Sequence, residues 1–513
     1  MKNFTKRYVS LLTKLSILTL FHFTFSDGSP KPYTPHDNIA LDCGSTANKT
    51  DLSGRSWTAD NTIYLDHSDK VSFISTSPTE GNPIPYATAR LSRSQFTYSF
   101  SVTPGPKFIR LHFYPTSYQE LDRSNSFFDV HVGGGYTLLR NFSAAFTADD
   151  LKLEVFYLEF CIYVDGKLDM LFSPSPNMLD SYAFVNGIEI MSMPDNLYYT
   201  SDDDTGFEFV NEVNPYRILK NQALQTLYRV NVGGSSISPE DDTGMDRSWF
   251  EDGEYLTNGG PSVLPVNISI NPRFSVIPNY SAPTPVYKTA RTMGTDKTVN
   301  ENYKLTWEFR VDVGFTYYVR LHFCEFQGEI SEPGDRVFQI YIDNIVAERQ
   351  ADVISWAGGS GVPVYRDYAA MIGRAGKEME RNLSIAVHPA PAWRTKYSDA
   401  ILNGVEIFKL SNEGNLAGSN PQGTHISPPI KSLPSTRPKY KIRTTFLIVV
   451  GIVSAFVAVS ALYILILRPK SRVEGSPSWY ELSNKDYSSV DRSGKVCTSD
   501  GKHSKDTKEC DIL

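Results

Sequence analysis

Cysteine is scarce in this chain, with five residues among 513. Once a predicted signal peptide, residues 1–26, is removed, the part expected outside the cell retains Cys43, Cys161 and Cys324. Three cysteines allow at most one internal disulfide and leave one thiol free or paired with another chain, so the pairing stays open. A disulfide framework is thereby excluded, and the stability must come from burial of apolar side chains.

An excess of basic residues is also missing. Lysine and arginine number 50 against 57 aspartates and glutamates, which gives a formal net charge of −7. This balance argues against nucleic acid as a partner. Metal-ligand patterns such as His-x-His or Cys-x-x-Cys do not occur in the sequence either. We therefore predict no metal and no cofactor.

The acidic clusters Asp202–Asp204 and Asp241–Asp242 come nearest to a catalytic or calcium-binding motif. Neither cluster has the spaced oxygen ligands of a calcium-binding loop. A pair of glycosidase carboxylates needs a geometry that the sequence does not show. Charge runs are mostly exposed, so both clusters are predicted to be solvated. No catalytic residue is predicted, and we expect that the chain is not an enzyme.

Two apolar segments predict how the chain lies with respect to a membrane. Residues 1–26 begin with basic residues and end in small ones, as a secretory signal peptide does. Residues 444–467 contain an uncharged run that would rise roughly 33 Å as a helix, enough to cross a bilayer. Residues 412–443 are predicted to be a flexible stalk, and residues 468–513 a disordered cytoplasmic tail. The sequence thus predicts a single-pass type I protein of the plasma membrane with its N-terminal part outside.

Asn-x-Ser/Thr sequons agree with this orientation. Five sequons lie between the two apolar segments, where the secretory pathway would glycosylate them. The predicted glycosylation sites are Asn48, Asn141, Asn267, Asn279 and Asn382.

The predicted outside part contains an internal repeat, because five blocks occur twice in the same order. The pairs are CGSTANKTDLSGRSW and VGGSSISPEDDTGMDRSW, PYATARLS and PVYKTARTMG, FTYSFSVTPGPKFIRLHFYP and LTWEFRVDVGFTYYVRLHFCE, FFDVHVGG and VFQIYIDN, and SYAFVNGIEIMSMP and SDAILNGVEIFKLS. They predict two tandem domains, residues 33–200 (the first repeat) and 225–411 (the second repeat). The boundary is expected near 200–225, with a possible helical turn within 215–228.

The repeated blocks have the pattern of β-strands. FTYSFSV and LTWEFRV alternate apolar and polar residues with a period of two, as strands with one buried face do. In the blocks FIRLHF and YYVRLHF, His112 and His322 occupy matched positions and are interpreted as duplicated structural residues. Many short alternating strands with turn residues between them favour an all-β fold of two jelly-roll-like β-sandwiches.

The blocks CGS…GRSW, TAR, RLHF and NGIEI/NGVEI, duplicated ahead of a membrane segment, resemble the plant malectin-like receptor kinases of the Feronia and Theseus type. The resemblance extends over residues 33–420 and includes NLAGSNP near its end. It implies two tandem malectin-like domains at the plant cell surface. It also implies binding of secreted peptides of the rapid alkalinization factor type, together with a lipid-anchored co-receptor.

The chain departs from this family after the membrane segment. Residues 468–513 are too few for a kinase and lack the glycine-rich loop, the HRD-type loop and the DFG aspartate that phosphoryl transfer needs. We therefore expect a receptor-like protein that binds an extracellular ligand without a kinase of its own and relies on a co-receptor or a receptor kinase.

A cell-wall tether that binds polysaccharide, pectin in particular, is the alternative function. Flat aromatic rings can cover the apolar face of a sugar, and Tyr64, Tyr86, Tyr114 and Tyr287 are the candidate ligand-binding residues. Trp249 is a weaker candidate because it is duplicated as Trp57, and duplicated residues are expected to pack in the core. Function must be argued from a site rather than from fold similarity, so both functions stay open.

Overall fold

The computed structural model describes residues 32–60, 65–66, 71–74, 83–133, 135–374, 376–417 and 430–431. All of these residues belong to one compact unit within residues 1–437. The predicted signal peptide, the predicted membrane helix, the tail and most of the stalk lie outside the described residues. Within the described ranges, no helix is long and apolar enough to cross a membrane.

In its described residues the first repeat is built mainly of strands, with one α-helix and one 3₁₀-helix. Its elements are β1 (Asn38–Asp42), β2 (Lys49–Thr50), β3 (Ser56–Ala59), β4 (Leu65–Asp66), β5 (Val71–Ile74), β6 (Thr88–Ser92), β7 (Phe96–Ser101), β8 (Gly105–Phe113), η1 (Arg123–Asn125), β9 (Phe128–Val132), β10 (Tyr136–Phe142), α1 (Ala144–Leu151), β11 (Phe156–Val164), β12 (Lys167–Pro174), β13 (Ala183–Val185) and β14 (Gly187–Ser192).

The connection and the second repeat follow the same pattern. Their elements are β15 (Glu208–Phe209), β16 (Leu224–Asn231), η2 (Pro239–Asp241), β17 (Phe250–Glu251), β18 (Leu256–Asn258), η3 (Thr284–Tyr287), β19 (Arg291–Thr292), α2 (Lys297–Asn300), β20 (Leu305–Asp312), β21 (Phe315–Phe323), β22 (Phe338–Ile342), β23 (Ile345–Ala351), α3 (Val353–Ala357), β24 (Val364–Ile372), β25 (Glu380–Pro389), β26 (Ile401–Leu402) and β27 (Gly404–Leu410), with β28 (Ile430–Lys431) beyond it.

Each repeat packs its own five-stranded sheet against a sheet that both repeats share. The separate sheets have the orders β10-β9-β12-β7-β4 and β18-β20-β25-β22-β23. The shared sheet runs β15-β24-β21-β27-β16-β11-β8-β14-β1-β3-β2. One apolar core fills each sandwich, with Leu111 and Phe96 among the side chains of the first and Leu321 and Trp307 among those of the second. The prediction of an all-β fold is confirmed.

The alternation of apolar and polar residues has different outcomes in different strands. In β7 and β20 the apolar side chains are buried, and the polar side chains that alternate with them are partly or fully exposed. One face of each strand is therefore buried, as predicted. In β8 every residue is buried, and in β21 all but one. Polar side chains of these strands, which include His112 and His322, are therefore buried as well.

The two repeats join through main-chain pairing. β11 of the first repeat pairs antiparallel with β16 of the second, with Phe160 opposite Gln225 and Cys161 opposite Leu224. The prediction of a helical turn within 215–228 is therefore wrong from residue 224 onward, because both edges of β16 are needed for β11 and β27. Whether the repeats are separate domains stays a prediction, since they share one sheet within one compact unit.

The chain returns to the first repeat after β27. The Thr137 amide of β10 donates a hydrogen bond to the Gly414 carbonyl, at 2.9 Å, and the Leu416 amide donates to the Thr137 carbonyl, at 3.0 Å. The Leu416 side chain is fully buried in the core of the first repeat. The first residues of the predicted stalk thus belong to the folded unit. Cys43, Cys161 and Cys324 are all buried and unbridged.

Candidate binding site at the junction of the repeats

The polar face of the shared sheet carries a chain of buried charges across the junction. Arg110 Nε lies 2.8 Å from Glu159 Oε2, and Arg110 Nη1 lies 3.3 Å from Glu189 Oε2. On the other side, Arg229 Nη2 lies 2.6 Å from Glu159 Oε1, and Arg229 Nε lies 2.9 Å from Glu406 Oε1. These contacts follow from the strand register, which sets Arg110 opposite both Glu159 and Glu189. The glutamates and arginines alternate, so each buried charge has a partner of opposite sign.

This alternation keeps the carboxylates ionised. Burial raises the pKa of Glu159, but the charges of Arg229 and Arg110 outweigh burial and lower the pKa to about 2. The junction is therefore held by charges that persist at every physiological pH. Such a pair adds little stability compared with apolar side chains of the same volume, but removal of one partner is costly.

The segment before Trp249 covers these charges. Arg110 Nη2 donates to the Met245 carbonyl at 2.7 Å. Arg247 is fully buried and binds Asp242, with Nε and Oδ2 separated by 2.9 Å. The prediction that Asp241–Asp242 is solvated is therefore wrong for the Asp242 side chain, which has no exposed surface. Asp202–Asp204 are exposed, as predicted.

Three residues of the first repeat form a hydrogen-bonded unit, here called the first triad. The Tyr86 hydroxyl lies 2.9 Å from His112 Nδ1, and His112 Nε2 lies 2.7 Å from Glu189 Oε1. The Trp57 and His112 rings pack in a T-shaped arrangement, with centroids 5.4 Å apart. The tyrosine, the histidine and the glutamate come from the blocks PYATAR, RLHF and NGIEI, so three separate repeated motifs meet at one point.

The second repeat contains the equivalent unit, the second triad. The Tyr287 hydroxyl lies 2.9 Å from His322 Nδ1, and His322 Nε2 lies 3.2 Å from Glu406 Oε2. Trp249 packs on His322 with centroids 5.5 Å apart. Burial lowers the pKa of His322, and the opposing effect of Glu406 does not restore it. The two histidines thus lie in separate, matched units, in agreement with their interpretation as duplicated structural residues.

A cavity of about 420 Å³ opens beside the first triad. Its walls come from the first repeat and from the segment 239–248 of the second. The lining residues are Asp51, Ser53, Gly54, Arg55, Trp57, Ile84, Pro85, Tyr86, Arg110, His112, Tyr157, Glu189, Pro239, Glu240, Asp246 and Ser248. Apolar rings and a few convergent polar groups are typical of the walls of ligand sites.

Arg55 is the central charge of this cavity. It lies 2.9 Å from Glu189 Oε2 and also pairs with Asp246 across the junction. Burial raises the pKa of Asp246, and the charge of Arg55 offsets this rise only in part. For Glu189, burial also acts to raise the pKa, but Arg55 and His112 hold it well below its usual range. Asp246 is therefore the carboxyl of this pair that takes up a proton first on acidification. The groups can bind a polar ligand by charge and by ring contact.

The structure brings one of the four predicted ligand-binding tyrosines to the cavity. Tyr86 lines it, with its hydroxyl directed at His112. Tyr287 is fully buried, so its ring offers no face to a sugar in this conformation. Tyr114 is buried away from the cavity, with its hydroxyl 3.5 Å from Glu154. Tyr64 lies outside the described residues, so carbohydrate contacts by these tyrosines stay a prediction.

The five sequons lie on or near the surface. Asn48 and Asn382 are exposed, and Asn141, Asn267 and Asn279 are partly buried. The side-chain amide of Asn382 donates to Glu308 at 2.8 Å on the outer face of the second sandwich. Glycosylation of these residues stays a prediction. Among the described residues, no group of three or more His, Cys, Asp or Glu side chains is arranged to hold a metal ion.

Arg55, Asp246 and Glu189 are not among the site residues predicted from the sequence. A signal was present, because Arg55 precedes Trp57 in GRSW as Arg247 precedes Trp249 in DRSW. Polar residues that recur beside duplicated core residues are candidates for buried pairs. Their partners could not be read from the sequence, since Arg55 and Asp246 are far apart along the chain and meet only when the repeats pack.

Comparisons with known proteins agree with this architecture. The family model described as malectin-like domain matches residues 41–410. The receptor-like protein kinase FERONIA of Arabidopsis thaliana is 43% identical, over 82% of this chain and 47% of FERONIA. The receptor-like protein kinase ANXUR1 of the same organism is 32% identical, over 97% of this chain and 57% of ANXUR1. This chain spans about half the length of these curated relatives.

Solved structures of receptor ectodomains have the same fold. The crystal structure of the plant receptor-like kinase FER has a TM-score of 0.68 at 42% identity, with 76% of this chain and 100% of that chain covered. A chain in the crystal structure of the plant peptide RALF23 in complex with FER and LLG2 has a TM-score of 0.67 at 41% identity, over 76% of this chain and 99% of that chain. The resemblance to malectin-like receptor kinases of the Feronia type is confirmed.

Proposed function

The chain belongs to the malectin-like domain family, and on this premise we propose that it is a cell-surface receptor-like protein that binds a secreted signalling peptide together with a co-receptor. Its predicted place is the plasma membrane, with residues 27–443 outside, glycosylated at the five sequons, and one helix across the bilayer. In this proposal the chain contributes binding and no catalysis, and the signal passes through another chain that carries a kinase.

The observation that carries the proposal is the complex of RALF23 with FER and LLG2. That structure contains a chain that is 41% identical to this one. The match covers 99% of that chain and 76% of this chain. The identity extends over the part that forms the two sandwiches here, so a peptide and co-receptor of the same classes are the expected partners. The junction cavity offers such a ligand a charged and aromatic surface to which both repeats contribute.

The alternative, a polysaccharide tether, has less support. Sugar-binding sites need exposed ring faces, and of the described tyrosines predicted for this role Tyr287 has none. Binding of pectin is therefore measured alongside binding of the peptide, as the test of this second function.

The test is calorimetric titration of the purified chain with RALF23, with LLG2, with both together and with pectin fragments. We expect saturable binding of the peptide that LLG2 strengthens. An Asp246→Asn variant, which removes the charge opposite Arg55, is expected to weaken binding about tenfold, equivalent to about 1.4 kcal/mol, if the ligand enters the cavity. Asp180→Asn, whose carboxylate pairs with Arg93 in the solvent, is the matched control.

The outcomes separate the parts of the proposal. A folded chain that binds neither RALF23 nor the pair contradicts the receptor function. Binding to pectin alone favours the tether. Equal binding by the wild type and Asp246→Asn retains the receptor function but removes the cavity as the ligand site.

A further inference from the structure

An arginine precedes the tryptophan that packs on each triad, and in both repeats an aspartate holds the backbone of this arginine. The Arg55 amide donates to Asp51 Oδ1 at 3.0 Å, and the Arg247 amide donates to Asp242 Oδ2 at 3.0 Å. The two guanidinium groups lie 5.9 Å and 5.8 Å from the centroid of the tryptophan ring that follows each of them. Asp51 and Asp242 are therefore matched positions of the two repeats.

The side chains of these two arginines have different partners. In the second repeat the Asp242 carboxylate binds the Arg247 guanidinium through both oxygens, with Nε and Oδ2 separated by 2.9 Å and Nη2 and Oδ1 by 3.0 Å. In the first repeat the Arg55 guanidinium pairs instead with two other carboxylates of the cavity beside the first triad. Asp51 accepts hydrogen bonds from uncharged donors only, within the described part of the chain. The matched carboxylate therefore has a cation as its partner in the second repeat and lacks one in the first.

Carboxylates outnumber cations in the lining of this cavity. Four carboxylates and two guanidinium groups line it, namely those of Asp51, Glu189, Glu240, Asp246, Arg55 and Arg110. A positive charge on His112, which also lines the cavity, would still leave an excess of one negative charge. Arg110 is in addition shared with the buried Glu159. The lining of the cavity is therefore short of positive charge.

Two of these carboxylates are accessible from solvent, whereas the rings beside them are dry. Glu240 is exposed, and the side chain of Asp246 is 33% exposed. The rings of Trp57 and Tyr86 are only 3% and 4% exposed. Charges attract each other more strongly beside such walls than in water, because the local dielectric constant is lower. Burial raises the pKa of Asp246 and Arg55 offsets the rise only in part, so a second cation would stabilise this carboxylate.

We propose that the cavity beside the first triad binds a positively charged side chain of the ligand, with Asp51, Glu240 and Asp246 as the carboxylates that attract it. In the second repeat, Arg247 shows that a guanidinium group fits between such an aspartate and a tryptophan ring. The protein supplies this cation itself there, whereas in the first repeat the ligand supplies it. The excess of carboxylates disfavours an acidic side chain, although Arg55 would attract one. The proposal rests on the proposed function in one respect: the side chain belongs to a secreted peptide.

The test measures binding of tripeptides with blocked ends to the purified full chain by saturation-transfer NMR. Two probes carry a cation, Gly-Arg-Gly and Gly-Lys-Gly. Gly-citrulline-Gly is the uncharged analogue of the arginine peptide, and Gly-Glu-Gly carries the opposite charge. We expect saturable binding of the two cationic peptides, with a dissociation constant on the order of 1 mM, and at least about tenfold weaker binding of the other two. Added salt should weaken the binding, because the carboxylates at the mouth of the cavity are partly exposed.

Substitutions at the mouth of the cavity locate the site. Glu240→Lys reverses an exposed charge and is expected to weaken binding of the arginine peptide at least about tenfold. Asp246→Asn is expected to have the same effect, but it also removes a partner of Arg55. The melting temperature shows whether this second variant is folded, and Glu240→Lys decides the question if it is not. Asp180→Asn, whose carboxylate pairs with Arg93 in the solvent, is the control and should bind as the wild type does.

The outcomes separate the cation site from the receptor function. Equal binding of the arginine and citrulline peptides, preference for the glutamate peptide, or binding that neither Glu240→Lys nor Asp246→Asn weakens overturns the cation site. If no tripeptide binds, and RALF23 with LLG2 binds the wild type and Glu240→Lys equally, the cation site is wrong and the proposed function is retained. If a cationic tripeptide binds in the cavity but RALF23 and LLG2 do not bind, the cation site is supported and the proposed peptide receptor is contradicted. No binding of any probe overturns both.

Discussion

The first and second triads are built from the same residue types in the same motifs, but the first lines a cavity, whereas Tyr287, His322 and Glu406 of the second are fully buried. In the second repeat, Phe274, Ile277 and Ala282 pack with Trp249 and Tyr287 in an apolar cluster that buries the triad. The chain between Trp249 and Tyr287 is longer than that between Trp57 and Tyr86, and the extra residues supply this cover. In the described residues of the first repeat no segment takes this role.

The two separate sheets differ in the same way at their edges. β10 is covered by residues 414–416, whereas β23 is bare in the described ranges. Within the described ranges, each repeat thus has one covered feature and one open feature. The first triad is open and the edge of β10 is covered, whereas the second triad is covered and the edge of β23 is open. This difference shows where a duplicated fold can acquire a binding role without a change of its core.

The largest expected effect concerns the charges that join the repeats. Arg229→Met leaves Glu159 and Glu406 buried without their shared partner, and loss of one partner from such a network costs about 3–5 kcal/mol. Chemical denaturation of the chain checks this value. Arg93→Met, which breaks an exposed pair with Asp180, is the control and should cost less than about 1 kcal/mol. Equal losses in the two variants would show that the junction charges do not act as a buried network.

The next effect concerns the covered edge. Leu416→Ala removes a fully buried side chain from the core of the first repeat, and such a change costs about 2–5 kcal/mol. The 414–416 segment should then detach, so amides of β10 exchange as fast as those of β23. Hydrogen exchange followed at both strands measures this change. If the Thr137 amide stayed protected in the variant, that result by itself would contradict the role given to Leu416.

A smaller effect compares the triads directly. Tyr287→Phe leaves His322 Nδ1 without its hydroxyl partner in a dry site, at a cost of about 1–3 kcal/mol. Tyr86→Phe is expected to cost less, because solvent in the cavity can reach His112 Nδ1. Thermal melts of the two variants side by side test the difference. If Tyr86→Phe lost more stability than Tyr287→Phe, solvent would not reach the first triad, and the proposed difference between the triads would be wrong.

The smallest effect is a dependence on pH. Burial holds the pKa of His322 below its ordinary value, so the unfolded chain binds the proton first as the pH falls below about 6.5. The stability from neutral His322 is therefore fully present above that pH and is lost on acidification, by at most about 1.4 kcal/mol per pH unit. Between pH 7.5 and 5.5 the free energy of unfolding should fall less steeply for His322→Gln than for the wild type. If the two slopes were identical, the pH dependence would belong to other groups. His36→Gln, at an exposed residue, is the control.

Much of the fold could be predicted from the sequence because the signals are local and duplicated. The alternation in β7 and β20 identifies strands with one dry face, and the repeated order of blocks identifies two copies of one sandwich. The matched histidines could be interpreted as structural because duplication is itself evidence of a shared role in the fold. The prediction of the four candidate tyrosines rests on residue type alone, and residue type does not distinguish Tyr86 at a cavity from Tyr287 in a core.

The sequence by itself determined the strands, the two repeats and the family, since periodicity and motifs are properties of short segments. Only the tertiary structure decided that β11 and β16 continue one sheet, that Arg55 meets Asp246, and that Leu416 returns to the first core. These contacts join residues far apart in the chain. They form only once the sandwiches are in place, when the polar face of the shared sheet and the edge of β10 meet distant segments, and no local pattern encodes which segment each will meet.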